Sequence, residues 1–263
     1  MAEIKEENQK PRENQKKDLL VPISILLAAL IIGGSVIYSK GLSTVQPSKN
    51  LANVQNANLV KLDIASDQAV LGKSNAPVTI FEFGDYQCPY CKRFYMLAHL
   101  DLVKNYVEPG LAKIVFMDFP LPNHDFAQKA AEAAWCAKDQ NKFWEMHDIL
   151  FSNSDTTNGL TVDSMIKYAG SLGLDTQAFS NCLNSSKYAA NIQQILAKGT
   201  QLGIQATPTT IVTNKPLPIN IDAKAVAAAY QGDTGTVQLG DSVLIIGAQP
   251  FSTIQSVIDS LVK

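Results

Sequence analysis

APVTIFEFGDYQCPYCKRFY, residues 76–95, compresses a strand, a loop and a helix start into twenty positions. After Pro77, VTIFEF is rich in β-branched and aromatic residues and reads as a strand over residues 78–83. A helix follows from Pro89 to about Tyr106, and Glu108-Pro109-Gly110 breaks it. Proline suits the first helical position, where a missing N–H costs nothing. That puts Cys88 at the helix N-terminus, where unpaired N–H groups and the macrodipole favour a thiolate, the reactive form of cysteine. Cys91, one turn on, continues an apolar stripe through Phe94, Tyr95, Ala98 and Leu102. Cys88 therefore reads as the exposed nucleophile and Cys91 as the shielded, resolving thiol. A mixed disulfide formed on Cys88 is then released by Cys91.

Two other uses of a Cys-Pro-Tyr-Cys element compete. Half a zinc site needs a second ligand pair at short spacing, but Cys136 and Cys182 stand alone and His99, His124 and His147 form no HxxxH pair. No metal and no cofactor is expected. A purely structural disulfide across four residues constrains little of the unfolded chain. Redox exchange is the better reading.

Working outward, AKIVFMDF (112–119) is a second strand, and residues 126–202 form a helical block with apolar positions at helical spacing. After Pro208, TTIVTN (209–214) and SVLII (242–246) are strands, and the last helix aligns Ile254, Val257, Ile258 and Leu261. The order is β-α-β, a helical block, then β-β-α. Residues 215–240, between the last two strands, carry no assigned role.

Toward the N-terminus, residues 1–18 hold five basic and five acidic side chains, and residues 19–38 (LLVPISILLAALIIGGSVIY) hold no charge. Twenty apolar residues at helical rise span about 30 Å, the thickness of a bilayer core. A cleaved signal peptide would have a shorter apolar region and an A-x-A-like site, so an uncleaved anchor is preferred. Lys10, Arg12, Lys16 and Lys17 on the upstream flank put the N-terminus in the cytoplasm and the remainder outside. The expected organisation is a cytoplasmic tail (1–18), a transmembrane anchor (19–38), a tether (39–66) and a catalytic domain (67–263) with a helical insertion over about 124–203.

Composition removes other classes. The chain has 263 residues, 46% of them hydrophobic, and a formal net charge of −2, so disorder is excluded for most of it and there is no electrostatic case for a basic nucleic-acid binder.

The block at 76–95, the helical insertion and ATPTTIV (206–212) together resemble the DsbA-like disulfide oxidoreductases, in their membrane-tethered bacterial branch. The resemblance covers residues 67–263. It implies an α/β thioredoxin-like fold with an inserted helical domain, acting by thiol–disulfide exchange on exported, cysteine-containing proteins. It also implies recharging by a quinone-linked membrane partner of the DsbB or VKOR type. By the same resemblance Cys88 is the attacking thiol and Cys91 the resolving one. Thr207-Pro208 matches a cis pair that packs on the cysteines and binds substrate backbone.

Glu82 matches an acidic residue six positions before the first cysteine. Its strand position, on a face with Val78 and Ile80, makes it a lone buried carboxylate with a raised pKa, able to pass protons to or from Cys91. Strongly oxidising members carry histidine as the second residue between the cysteines; Tyr90 stands there instead and brings no positive charge.

Cys136 and Cys182 fall in the helical block. In an oxidising compartment two such thiols seldom stay unpaired, and some members of the family carry a second disulfide in this domain. A bridge between them would contribute roughly 3–4 kcal/mol by chain entropy. His99, His147, Trp135 and Trp144 read as structural. The function expected is the introduction of disulfides; the alternatives are a reductase or isomerase, and a non-catalytic tethered binding protein.

Overall fold

The computed structural model describes residues 58–232 and 235–262. The expected cytoplasmic tail and the apolar run at 19–38 lie outside the described residues. Among the described residues no helix is long and apolar enough to cross a membrane.

The strand expected after Pro77 spans Val78–Gly84, and all seven of its residues are buried. Strands β1 (Leu59–Leu62), β2 (Val70–Leu71) and β3 (Val78–Gly84) precede helix α1 (Pro89–Phe94). That helix runs on through a π-helical segment (Tyr95–His99), one α-turn (Leu100–Leu102) and a second π-helical segment (Val103–Val107). Strand β4 (Ala112–Asp118) leads into five helices: α2 (Ala127–Lys138), α3 (Phe143–Asn153), α4 (Val162–Ser171), α5 (Thr176–Asn184) and α6 (Ala189–Gln201). The chain returns as β5 (Thr209–Thr213), β6 (Ile219–Asp222), α7 (Ala223–Ala229), β7 (Thr236–Leu239), β8 (Ser242–Ile246) and α8 (Phe251–Leu261).

Six strands form one sheet in the order β2-β4-β3-β5-β8-β7. β3 and β4 run parallel, joined by the helical crossover that a parallel pair needs, while β5 lies antiparallel to β3. Central strands covered on both faces read as continuous apolar runs, which is how VTIFEF reads. On one face Val78, Ile80, Ile114 and Val212 pack with Phe94, Ala98 and Leu102 and with Ile254 and Ile258 of α8. On the other, Phe81, Phe83 and Val115 pack with Trp135, Met146, Leu150 and Ile192 of the helical insertion. The insertion ends where Gly203, at φ 83°, reverses the chain. An added Cβ there would lie 2.4 Å from the Ala223 carbonyl oxygen.

The tether expected over residues 39–66 is corrected at its C-terminal end. LVKL (59–62) is a strand of the fold, paired antiparallel with β6 from Leu59↔Asp222 to Leu62↔Ile219. Four residues with mixed exposure give too weak a periodicity to read alone. Its partner comes from the unassigned stretch 215–240, which also supplies α7, capped by Asp222, and the edge strand β7.

Candidate active site

The end of β3 delivers the chain through Asp85, Tyr86 and Gln87 to Cys88, which is extended (φ −71°, ψ 122°) and caps α1, with Pro89 in the first turn. Phe83 of β3 pairs with Thr209 of β5, so the cis Thr207–Pro208 bond lies beside the same sheet end. Cys88 Sγ is 3.5 Å from the Thr207 carbonyl oxygen. The Thr207 hydroxyl lies close enough to lower both thiols, yet it closes no hydrogen bond of full geometry. Both cysteines are free thiols.

One expectation is corrected. Cys88 is not an exposed nucleophile: it is 3% exposed, against 0% for Cys91. The close approach of the Thr207 carbonyl covers it, while Tyr90 next door is 61% exposed. Chemistry still separates the two. The Cys88 pKa falls from 9.0 to about 6, chiefly through a hydrogen bond with Cys91 and against the effect of burial. Thr207 and the N–H groups of Cys91 and Tyr90 add to the lowering. Cys91 is pushed well above the ordinary thiol value, first by burial and then by its hydrogen bond to Cys88 and the charge there. One sulfur is thus a thiolate at neutral pH, and the other is a thiol donating to it.

Glu82 is buried on the strand face shared with Val78 and Ile80, but it is not a lone carboxylate. Its Oε2 is 3.0 Å from His99 Nδ1, with the two side chains 1% and 2% exposed. No hydrogen bond joins it to Cys91, whose Sγ instead accepts from Asp85 N–H at 3.4 Å. His99 is eight residues beyond Cys91, about 80° away around an ideal α-helix. It closes the π-helical segment Tyr95–His99 and is buried, its ring packed against those of Tyr95 and Trp144. His147 lies 5.0 Å from His99 between ring centroids. Burial lowers its pKa, its Nδ1 engages Asp148 Oδ1, and its Nε2 has no partner. Glu82, His99 and His147 have ligand-type atoms within 4.8 Å of one another, the one such group among the described residues. Glu82 and His99 are bonded to each other, which is the arrangement of a buried hydrogen-bonded cluster.

Two further carboxylates escaped the sequence reading. Asp85, directly after β3, is buried and holds His124 Nδ1 at 2.7 Å. Asp118, closing β4, accepts from Trp135 Nε1 at 2.7 Å, and burial raises it from 3.8 to about 7. Acidic residues at the ends of two adjacent apolar strands are the signal that could have found them. In the helical insertion Cys136 and Cys182 are joined as a disulfide between α2 and α5, with Cα atoms 5.9 Å apart.

A thioredoxin-type sheet with a dithiol at a helix start beside a cis-proline loop defines the class, and comparison agrees. The family model described as Thioredoxin matches residues 65–230. The chain belongs to the thioredoxin family, in its DsbA-like branch. Disulfide bond formation protein D of Bacillus subtilis is 31% identical over 156 residues, 56% of this chain and 68% of that protein. An Na(+)/H(+) antiporter NhaA 3 of Salinispora tropica is 34% identical over 60% of this chain, yet the chain spans only 24% of that antiporter's length. Among solved structures, oxidised BdbD from Bacillus subtilis matches with a TM-score of 0.57 and 25% identity, covering 78% of this chain and 98% of that one.

Proposed function

We propose that this chain introduces disulfide bonds into exported proteins by exchange through Cys88 and Cys91. The observation that carries the reading is the unequal pair of thiols, Cys88 at about 6 and Cys91 far higher, under the Thr207–Pro208 loop. In the oxidised enzyme a client thiolate attacks Cys88 Sγ, and the Cys88–Cys91 bond breaks. Cys91 leaves as a thiolate and takes up a proton. A second client thiolate then attacks the client sulfur of the mixed disulfide and expels Cys88 as a stable thiolate. The client loses two electrons and the enzyme dithiol gains them.

In this reading the Thr207 backbone, already against Cys88, docks the client strand. Glu82, hydrogen-bonded to His99, is the buried carboxylate assigned to supplying and withdrawing the proton of Cys91, although no direct hydrogen bond joins the two. A quinone-linked membrane partner of the DsbB or VKOR type would take the two electrons on. Residues 19–38 would hold the domain at the outer face of the membrane. Protease added to intact spheroplasts should then cut the chain between anchor and domain; protection would refute that orientation.

The exchange roles are tested by running the exchange in reverse, with the reduced enzyme and a disulfide-bonded client on non-reducing gels. Cys91→Ser should accumulate client as a mixed disulfide on Cys88, because the Cys88 thiolate opens the client disulfide, expelling one client thiolate, and no Cys91 thiol is left to release the other. Cys88→Ser should form none. The reverse pattern would reverse the roles, and wild-type behaviour in both would remove them.

A further inference from the structure

Asp85 occupies the joint between β3 and the cysteine loop, and its polar groups are all turned inward. Its N–H donates to Cys91 Sγ at 3.4 Å, and its carbonyl oxygen accepts from Cys88 N–H at 3.1 Å. Oδ1 accepts from Gln87 N–H at 2.7 Å, while Oδ2 accepts from Leu121 N–H at 2.9 Å and pairs with His124 Nδ1 at 2.7 Å. The Asp85 side chain is 0% exposed, and His124, at 14%, is its one side-chain partner. The loop that leads from β4 into the helical insertion thereby grips the residue that touches both cysteines.

We propose that Asp85 and His124 form a positioning dyad that makes the Cys88–Cys91 pair a stronger oxidant, by holding the Asp85 N–H on Cys91. The proposal rests on the exchange reading above. An N–H aimed at Cys91 Sγ polarises its S–H, which strengthens the hydrogen bond from Cys91 to the Cys88 thiolate. Stabilising the reduced dithiol in this way raises the oxidising power of the disulfide. The Cys91 hydrogen bond is already the largest influence lowering Cys88. Tyr90, between the cysteines, brings no charge that could do this from the front; the dyad acts from behind.

Burial explains why a histidine is needed. The Asp85 side chain is fully buried, and Asp118, itself buried nearby, leaves its Oδ1 without a partner. A second donor on Asp85 Oδ2 offsets the cost of holding a carboxylate away from water. A dyad of merely structural worth would change stability and leave the redox equilibrium where it was.

The test equilibrates the purified protein with glutathione at a series of ratios and counts reduced Cys88 and Cys91 by alkylation and mass. His124→Ala should lower the equilibrium constant for oxidising glutathione roughly five- to tenfold, the worth of one hydrogen bond. Tenfold corresponds to about 30 mV for a two-electron couple. The pH midpoint of Cys88 alkylation should rise in the same variant. His124→Asn, whose amide can donate from the Nδ1 position, should restore both values. His124→Gln, with its amide displaced to where Nε2 was, should not. A folded His124→Ala protein with the wild-type constant and midpoint overturns the proposal. So do Asn and Gln variants that behave alike, and that comparison decides the matter if the alanine variant does not fold. A wild-type protein that never equilibrates with glutathione instead overturns the exchange reading itself.

Discussion

Replacing Cys91 with alanine removes the principal cause of the low Cys88 pKa while leaving the sheet, the cap and Pro89 in place. With a value of about 6, Cys88 is roughly 90% thiolate at pH 7; at the ordinary 9.0 it would be about 1%. Burial works against ionisation in both proteins, and the remaining lowering influences are Thr207 and the N–H groups of residues 90 and 91. The variant should therefore titrate well above 6, by about two pH units, so that its thiolate fraction at pH 7 falls from roughly 90% to roughly 10%. The measurement is the rate of iodoacetamide modification of Cys88 against pH, read by mass. Cys136 and Cys182 are joined to each other and stay silent. A wild-type midpoint near 8 to 9 would refute the low pKa. A midpoint near 6 that survives Cys91→Ala would refute the Cys91 hydrogen bond as its source.

Asp118, raised to about 7 from 3.8, binds a proton in the folded chain that the unfolded chain has released, so stability falls as pH rises from about 4 through 7. Asp118→Asn, always neutral, should raise the melting temperature at pH 8 by an amount worth about 2–4 kcal/mol and change little at pH 4; equal effects at both would show that the carboxyl is not held protonated. Removing the disulfide as Cys136→Ala/Cys182→Ala frees a loop with a sequence separation of 46 and should cost about 3–4 kcal/mol in urea denaturation, without altering client oxidation. Glu82→Gln keeps the shape of the side chain but cannot accept a proton, so steady-state oxidation of a reduced client should slow near pH 7 with the fold intact; an unchanged rate would remove Glu82 from proton transfer.

What the chain discloses in one dimension follows from how each feature is encoded. β3, α1 and the helical insertion are legible because their apolar positions repeat at the period of the element. β1 and β6 are illegible because each is four residues long and stable only against the other. Cys88 and Cys91 announce themselves by spacing and by Pro89, but the burial of Cys88 depends on a carbonyl 119 positions away. His99 reads as structural and is indeed buried, but its partner Glu82 lies 17 positions back on β3, and that pairing leaves no local trace. The pairing of Asp85 with His124 joins two loops 39 residues apart and leaves no periodic trace.

The small ribbon of β1 and β6 has a mechanical consequence. The chain enters the domain at Asn58, whose carbonyl oxygen accepts from Ala223 N–H, and it is then laced along β6 for four residues. A pull on the chain ahead of Asn58 loads those cross-strand hydrogen bonds first and passes the strain to α7. The sheet end that carries Cys88, Pro208 and Asp85 lies further along the force path, behind β2 and β3. The ribbon works as a strain relief, so that a tug on the leading chain reaches the sulfur chemistry only after the ribbon has given way.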